Sequence, residues 1–240
     1  MMAFEIFKYL FFFFVSLWFG NFITSFYFRI PRGISINGRK TPPMCSNCGI
    51  RLKYPDYGPL YYYLFKGKSC KSCGIAIPAK YFWIELLTGI LLLTCFLVNG
   101  LSQEAMLKVL VILPIILIGL IYHEHGTIHE KSVWIFFLPS IFYKAIHTSS
   151  PDFALYEFVT TLTIGFVTAF LFEKIQNLTI KTELSMNEFC FFAGLSIVIL
   201  SPIAYIAVVF AMSACKIVFF HKNTISSYVF LLPITAIILQ

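Results

Sequence analysis

The sequence predicts an all-α polytopic membrane protein with about eight transmembrane helices and a small cytoplasmic zinc-binding domain with four cysteine ligands. Of its 240 residues, 59% are hydrophobic and only 12% are charged, whereas soluble domains contain about 25% charged residues. Apolar runs recur along the chain at lengths near the ~20 residues that a helix needs to cross a bilayer. The only long polar stretch carries two CxxC pairs, Cys45–Cys48 and Cys70–Cys73.

The chain is expected to divide into a first transmembrane helix (1–28), a polar segment (29–80) and a transmembrane bundle (81–240). The first apolar run is too long for a signal peptide, and no small-residue cleavage site follows it, so we expect a retained helix. The polar segment holds ten of the 18 Lys and Arg residues, with Asp56 as its only acid. Because basic loops stay in the cytoplasm, this segment is predicted to be cytoplasmic and the N-terminus to lie outside.

Apolar runs in the remainder predict further helices at about 81–98, 105–122, 132–146, 153–172, 189–220 and 225–239. The run 189–220 is too long for one crossing, and Ser201–Pro202 is a plausible turn within it. The helix at 132–146 is expected to break at Pro139. Three lysines fall near the other helix ends, where they could reach the headgroups; they are Lys8, Lys108 and Lys144.

The two CxxC pairs predict a structural zinc site. Each pair places two thiolates on one tight turn, and two such turns form a tetrahedral pocket with Cys45, Cys48, Cys70 and Cys73 as ligands. The reducing cytoplasm favours metal ligation over disulfides, and the metal would stabilise a domain too small to form its own core. The positive-inside rule already explains the basic charge, so we expect the lipid bilayer as a partner and no nucleic acid.

Three motifs in the first 90 residues resemble the bacterial prepilin peptidases. They are Gly20-Asn21-Phe22 in the first helix, Phe28-Arg29-Ile30-Pro31-Arg32 after it, and Tyr81-Phe82-Trp83-Ile84-Glu85-Leu86-Leu87-Thr88-Gly89 opening the second. The resemblance implies a multi-pass protein of the bacterial inner membrane. Its partners would be type IV prepilins or type II secretion pseudopilins.

Family members remove a leader after a Gly by aspartic-type proteolysis. They then N-methylate the new terminus with S-adenosylmethionine. The resemblance assigns Gly20, Asn21 and Glu85 to substrate or methyl-donor binding. Glu85 could instead be a carboxylate held at the headgroups, and Asn21 could instead bond a neighbouring helix.

The aspartates of the family's peptidase motifs are substituted in this chain. The alignment places Tyr122 and Met186 at the two catalytic Asp positions. Aspartic proteolysis needs two carboxyls that share a proton across a water. A phenol with a pKa near 10 cannot activate that water at neutral pH, and Met does not titrate. Glu130 and Glu188 lie on the same two turns and could supply substitute carboxyls.

Three interpretations of function follow from this pattern. In the first, the methyltransferase half is retained while the peptidase half is lost or remodelled. In the second, the chain is a non-catalytic protein that binds pilin-like precursors for assembly or regulation. In the third, an intact peptidase uses Glu residues. A separate cluster, His123-Glu124-His125 with His129, could bind a metal or could form a solvated turn at the membrane border.

Overall fold

The computed structural model describes residues 2–38, 40–45, 47–53, 56–147, 156, 159–168, 170–171, 174, 186–199, 205, 207–209, 211 and 231–239. Within this part of the chain the secondary structure is helical and contains no extended strand. The helices are α1 (Met2–Arg29), α2 (Pro59–Phe65), α3 (Ala79–Asn99), α4 (Gln103–His125), α5 (Glu130–His147), α6 (Val159–Thr168), α7 (Met186–Val198) and α8 (Leu231–Leu239).

Among the described residues, three helices are long and apolar enough to cross a membrane: Ile6–Arg29 within α1, then α3 and α4. These are the first three spans that the sequence predicts; α3 and α4 are a few residues longer than expected. The total of eight spans stays a prediction, and the turn at Ser201–Pro202 lies outside the described residues. Helix α2 was not predicted, because seven residues are too few to show helical periodicity.

The chain forms two compact units, Met1–Leu97 and Val98–Gln240. In the first unit α1 and α3 pack closely at two glycines. A Cβ atom on Gly20 would lie 2.6 Å from the backbone oxygen of Glu85, and one on Gly89 would lie 2.6 Å from Leu17 Cδ2. Small residues let membrane helices approach backbone to backbone, so these glycines set the separation of the pair.

In the second unit α4 packs against α5 and α8, and α5 packs against α7. The predicted break at Pro139 is wrong, because α5 continues through it from Glu130 to His147. Proline removes one backbone donor, but neighbouring groups in membrane helices can satisfy the carbonyl that it frees. In the same turn the Ser140 hydroxyl donates to the Phe136 carbonyl at 2.7 Å.

The sequence predicts that Lys108 reaches the headgroups, but the structure buries it: only 1% of its surface is exposed. Its ammonium group lies 2.6 Å from Asn99 Oδ1 and 3.1 Å from a Glu104 carboxylate oxygen. The Asn99 amide in turn donates to the carbonyl of Ile238 near the end of α8, at 3.0 Å. A buried ammonium needs such partners, and this polar cluster supplies them inside the unit.

Candidate metal centre and adjoining cavity

The two CxxC turns share the same pair of backbone hydrogen bonds. In the first, the Cys45 amide donates to the Ile50 carbonyl, and the Gly49 amide donates to the Cys45 carbonyl, both at 3.0 Å. The second turn, residues 70–75, repeats both hydrogen bonds at 2.8 Å. Gly49 and Gly74 have φ of 68° and 72°, a left-handed conformation that glycine adopts without steric cost. Each turn thereby directs its two cysteines to one side.

The four cysteine sulfurs converge on one point, and we call them the four-cysteine centre. All four Sγ atoms lie within 4.8 Å of one another. The Cys45–Cys73 and Cys48–Cys70 pairs are each 3.9 Å apart. Zinc held by four thiolates at about 2.3 Å in a tetrahedron places its sulfurs roughly 3.8 Å apart. The four-cysteine centre could therefore hold a metal ion, and its dimensions are compatible with zinc.

The turn amides also favour thiolates. Amide donors at Cys48 and Asn47 lower the pKa of Cys45. The Ile75 amide, with the Asn47 side chain, lowers the pKa of Cys73 to about 6. For Cys48 the Ile50 amide lowers the pKa, but burial and the neighbouring thiols outweigh it and raise the pKa to about 11. Thiolates close together repel one another, and a bound dication would remove that penalty.

Helix α2 lies between the two turns in sequence and is tied to both the polar segment and α3. The Tyr62 hydroxyl donates to the Ser69 carbonyl at 2.8 Å, and its ring is 2% exposed. The Leu60 amide donates to a Glu85 carboxylate oxygen at 2.7 Å. These two bonds connect the second cysteine turn, through α2, to the start of α3.

A cavity of about 660 Å³ adjoins the four-cysteine centre within the first unit. It extends from the C-terminal half of α1 to the cysteine turns, and its walls combine polar, aromatic and basic side chains. They include Asn21, Thr24, Arg29, Cys45, Tyr62 and Tyr81. Arg29 is held in place because it donates to the Ser35 carbonyl and the Thr41 hydroxyl at 2.8 and 2.9 Å.

The three residues that the resemblance assigned to substrate or methyl donor have different positions. Asn21 lines the cavity. Gly20 lies against the backbone of Glu85. Glu85 is buried and accepts the Leu60 amide, so in the described structure its carboxylate positions α2. Thr24 and Tyr81 line the cavity without having been singled out, although Thr24 lies one helical turn after Gly20 and Tyr81 opens a quoted motif.

The two turns expected to carry the peptidase carboxyls meet in the second unit. The Asn187 side-chain amide donates to the Ile128 carbonyl at 2.8 Å, which joins the first turn of α7 to the α4–α5 loop. Tyr122 is half-buried near the end of α4, and Met186 begins α7. Glu130 is exposed and accepts the Trp134 indole N–H at 3.3 Å, while Glu188 is half-buried.

In the histidine cluster the rings of His125 and His129 are in contact, with centroids 6.0 Å apart. Burial, and to a lesser extent the nearby His125, lower the pKa of His129. Across the described ranges, the four-cysteine centre is the one group of three or more potential ligand residues whose donor atoms converge.

These features define a membrane protein whose N-terminal unit joins two close-packed helices to a set of four converging cysteines. Residues 14–99 match the family model described as "Bacterial Peptidase A24 N-terminal domain". The N-terminal unit is therefore a domain of this family, and the chain is similar to proteins named prepilin leader peptidase/N-methyltransferase.

Two curated relatives are each named prepilin leader peptidase/N-methyltransferase. The protein from Bacillus subtilis (strain 168) is 29% identical over 62% of this chain and 60% of its own length. The one from Myxococcus xanthus (strain DK1622) is 31% identical over 46% of this chain and 33% of its own length. The chain thus spans less than two thirds of either relative. No solved structure matches it.

Proposed function

We propose that this protein binds type IV prepilins or type II secretion pseudopilins in the bacterial inner membrane and N-methylates their cleaved N-termini. The cavity beside the four-cysteine centre carries the proposal. It is large enough for a small-molecule ligand, and it reaches Asn21 in a membrane-crossing helix. A precursor helix that entered from the bilayer could bring its N-terminus to this cavity.

The walls of the cavity suit a methyl transfer from S-adenosylmethionine. In this reaction the lone pair of a neutral α-amine attacks the donor's methyl carbon, the carbon–sulfur bond breaks, and the amine loses a proton. Aromatic rings attract cations, and Phe28 and Tyr81 line the wall. Arg32 and Lys80 already lie over these rings, at 4.3 and 5.5 Å from the centroids, so a sulfonium would use the opposite ring faces. Asn21 and Thr24 offer oxygens that could orient the amine.

Zinc is the metal that we propose for the four-cysteine centre, in a structural role. Four cysteine ligands leave no open coordination position for substrate, which is typical of structural sites. The turns that it would join include cavity residues such as Cys45 and Cys70. Zinc would thus fix the wall of the cavity and take no part in the chemistry.

Leader cleavage is proposed to be lost or remodelled, because Tyr122 and Met186 replace the two aspartates. A second candidate, a peptidase that uses Glu130 and Glu188, is favoured by one observation: the Asn187–Ile128 bond brings the two turns that carry them together. A third candidate is a non-catalytic homologue that only binds precursors, which the cavity and the substitutions also suit.

Intact-mass analysis of a prepilin incubated with the purified, zinc-loaded protein and S-adenosylmethionine separates these candidates. We expect a pre-cleaved pilin to gain one methyl group and a full-length precursor to keep its leader. Loss of the leader would favour the Glu-based peptidase, and Glu130→Gln with Glu188→Gln should then abolish cleavage. A precursor that co-purifies without any mass change would favour the binding protein.

A matched pair of variants tests the cavity itself. Asn21→Ala should reduce methylation about tenfold or more, the effect of losing one well-placed polar contact to the reacting amine. Thr94→Ala on the exposed side of α3 is the control and should methylate normally. Equal methylation rates for both variants and the native protein would mean that the methyl transfer does not take place in this cavity.

A further inference from the structure

Two contacts fix helix α2 beside the first two turns of α3. The Leu60 amide bonds the Glu85 carboxylate at 2.7 Å, and the Tyr63 ring lies 5.2 Å from the Phe82 ring, centroid to centroid. Phe82 and Glu85 are only three and six residues into a membrane-crossing helix that starts at Ala79. At 1.5 Å per residue, α2 therefore lies within about 10 Å of the end of that span.

This depth corresponds to the membrane–water interface. Trp83 in the same turn of α3 is largely exposed, and Trp and Tyr concentrate at headgroup level. The polar segment is also attached to membrane-crossing helices at both ends, Arg29 of α1 and Ala79 of α3. Helix α2 thus cannot move far from the bilayer surface.

The outer face of α2 is apolar. Leu64 is 61% exposed and Phe65 is 70% exposed, whereas Tyr62 on the inner face is buried. The Tyr61 and Phe65 rings lie 5.2 Å apart and extend the same outer face. A short interfacial helix buries such a face among headgroups and the upper acyl chains.

Basic residues flank this face, whereas the acid that contacts α2, Glu85, is buried. Lys66 Nζ lies 6.0 Å from the Tyr61 ring centroid, and Lys68 Nζ lies 5.1 Å from that of Tyr63. The only acid of the polar segment, Asp56, is 3.7 Å from Lys71. The charge of the α2 surface therefore complements an anionic lipid leaflet.

We infer that α2 is an interfacial helix that inserts Leu64 and Phe65 among the headgroups of an anionic bilayer, with Lys66 and Lys68 at the lipid phosphates. The inference is independent of the proposed activity, because it uses only contacts of α2 and α3. A bilayer, and not a protein partner, is the occupant that the depth and the charge favour. Docking would hold the polar segment against the membrane.

Fluorescence of the full-length Phe65→Trp protein in lipid nanodiscs tests this inference. The native Trp18, Trp83 and Trp134 also fluoresce, and the signal of the unsubstituted protein gives this background for subtraction. Ile50→Trp, at an exposed position on the first cysteine turn, is the matched control. Both substitutions are at exposed positions, and metal content checks that the domain is folded.

We expect lipids brominated on the acyl chain to quench Phe65→Trp about threefold more than Ile50→Trp, since only the tryptophan at position 65 would reach the acyl chains. Acrylamide in the aqueous phase should quench Ile50→Trp more than Phe65→Trp. Including phosphatidylglycerol should strengthen the lipid quenching. Lys66→Glu with Lys68→Glu should remove that dependence, whereas Arg51→Glu should not.

Three results would overturn the inference. Equal acrylamide quenching of the two tryptophans, with no effect of brominated lipid, would leave α2 in water. Equal quenching of both tryptophans by brominated lipid would mean that α2 enters the bilayer no further than the first cysteine turn does. Protection of Phe65→Trp from acrylamide only after a prepilin peptide is added would make the precursor the occupant.

Discussion

Gly20 of α1 lies so close to Glu85 of α3 that a Cβ atom would come within 2.6 Å of the Glu85 carbonyl oxygen and 3.0 Å of its Cα. The Thr24 hydroxyl donates to the Gly20 carbonyl one turn later, at 3.0 Å. The cavity residues Asn21 and Thr24 and the Glu85 side chain that holds α2 thus all lie next to this backbone contact between the two helices.

Gly20→Ala should force α1 and α3 apart, because its Cβ would meet backbone that cannot rotate away. We expect a loss of about 1–3 kcal/mol in unfolding free energy, the usual cost of overpacking, measured by denaturant titration in detergent micelles. Gly89→Ala should cost less, since its Cβ would meet the mobile end of the Leu17 side chain. Gly38→Ala is the control, because no atom lies within 4 Å of its Cβ position; a cost as large there would contradict the explanation.

Glu85→Ala should loosen α2, because the Leu60 amide would lose its acceptor. An unsatisfied donor costs about 1–3 kcal/mol, so trypsin cleavage after Lys66 and Lys68 should accelerate on the order of tenfold. Glu85→Gln keeps an acceptor oxygen and should have a smaller effect. If Glu85→Gln and Glu85→Ala were cleaved equally fast, the hydrogen bond would not be what holds α2.

Cys70→Ser should abolish metal binding at the four-cysteine centre, because one of four converging thiolates is lost. Elemental analysis of the purified variant should show little zinc, and the polar segment should become sensitive to protease as its cross-link is lost. Cys95→Ala, at a buried cysteine of α3, is the control and should retain full zinc content. Undiminished zinc in Cys70→Ser would exclude the proposed metal site.

Lys108→Met should destabilise the second unit by about 1–3 kcal/mol, because Asn99 Oδ1 would lose its 2.6 Å donor in a buried setting. The same detergent titration measures this change. Lys131→Met, at an exposed position at the start of α5, should change the stability by less than about 0.5 kcal/mol. Comparable losses in the two variants would show that lysine removal in general, and not the cluster, is responsible.

The sequence was informative where one physical signal dominated. Apolar length predicts α1, α3 and α4, since nothing else accounts for such runs. Cysteine spacing predicts the convergence of four sulfurs, because each CxxC turn is a local structure. Both signals are contained in short stretches of chain.

Features that depend on a distant partner were not predicted. Lys108 was expected to be exposed because Asn99 and the α8 carbonyl that complete its cluster are not recognisable from its own helix. Pro139 suggested a break because proline removes a backbone hydrogen-bond donor. The sequence alone does not reveal the neighbouring groups that stabilise the helix in spite of this. Helix α2 is too short for periodicity, and only Pro59 at its first position offered a signal.

The order in which the ribosome makes this chain gives the paired cysteine turns a consequence for assembly. Cys45 and Cys48 emerge before α2, and the fourth ligand, Cys73, emerges only six residues before α3 begins at Ala79. If the four-cysteine centre takes up a metal ion, the site can be complete no earlier than the synthesis of Cys73, when α1 has already been made and α3 follows directly. An ion captured at that point would meet the cysteines between two segments that are entering the bilayer.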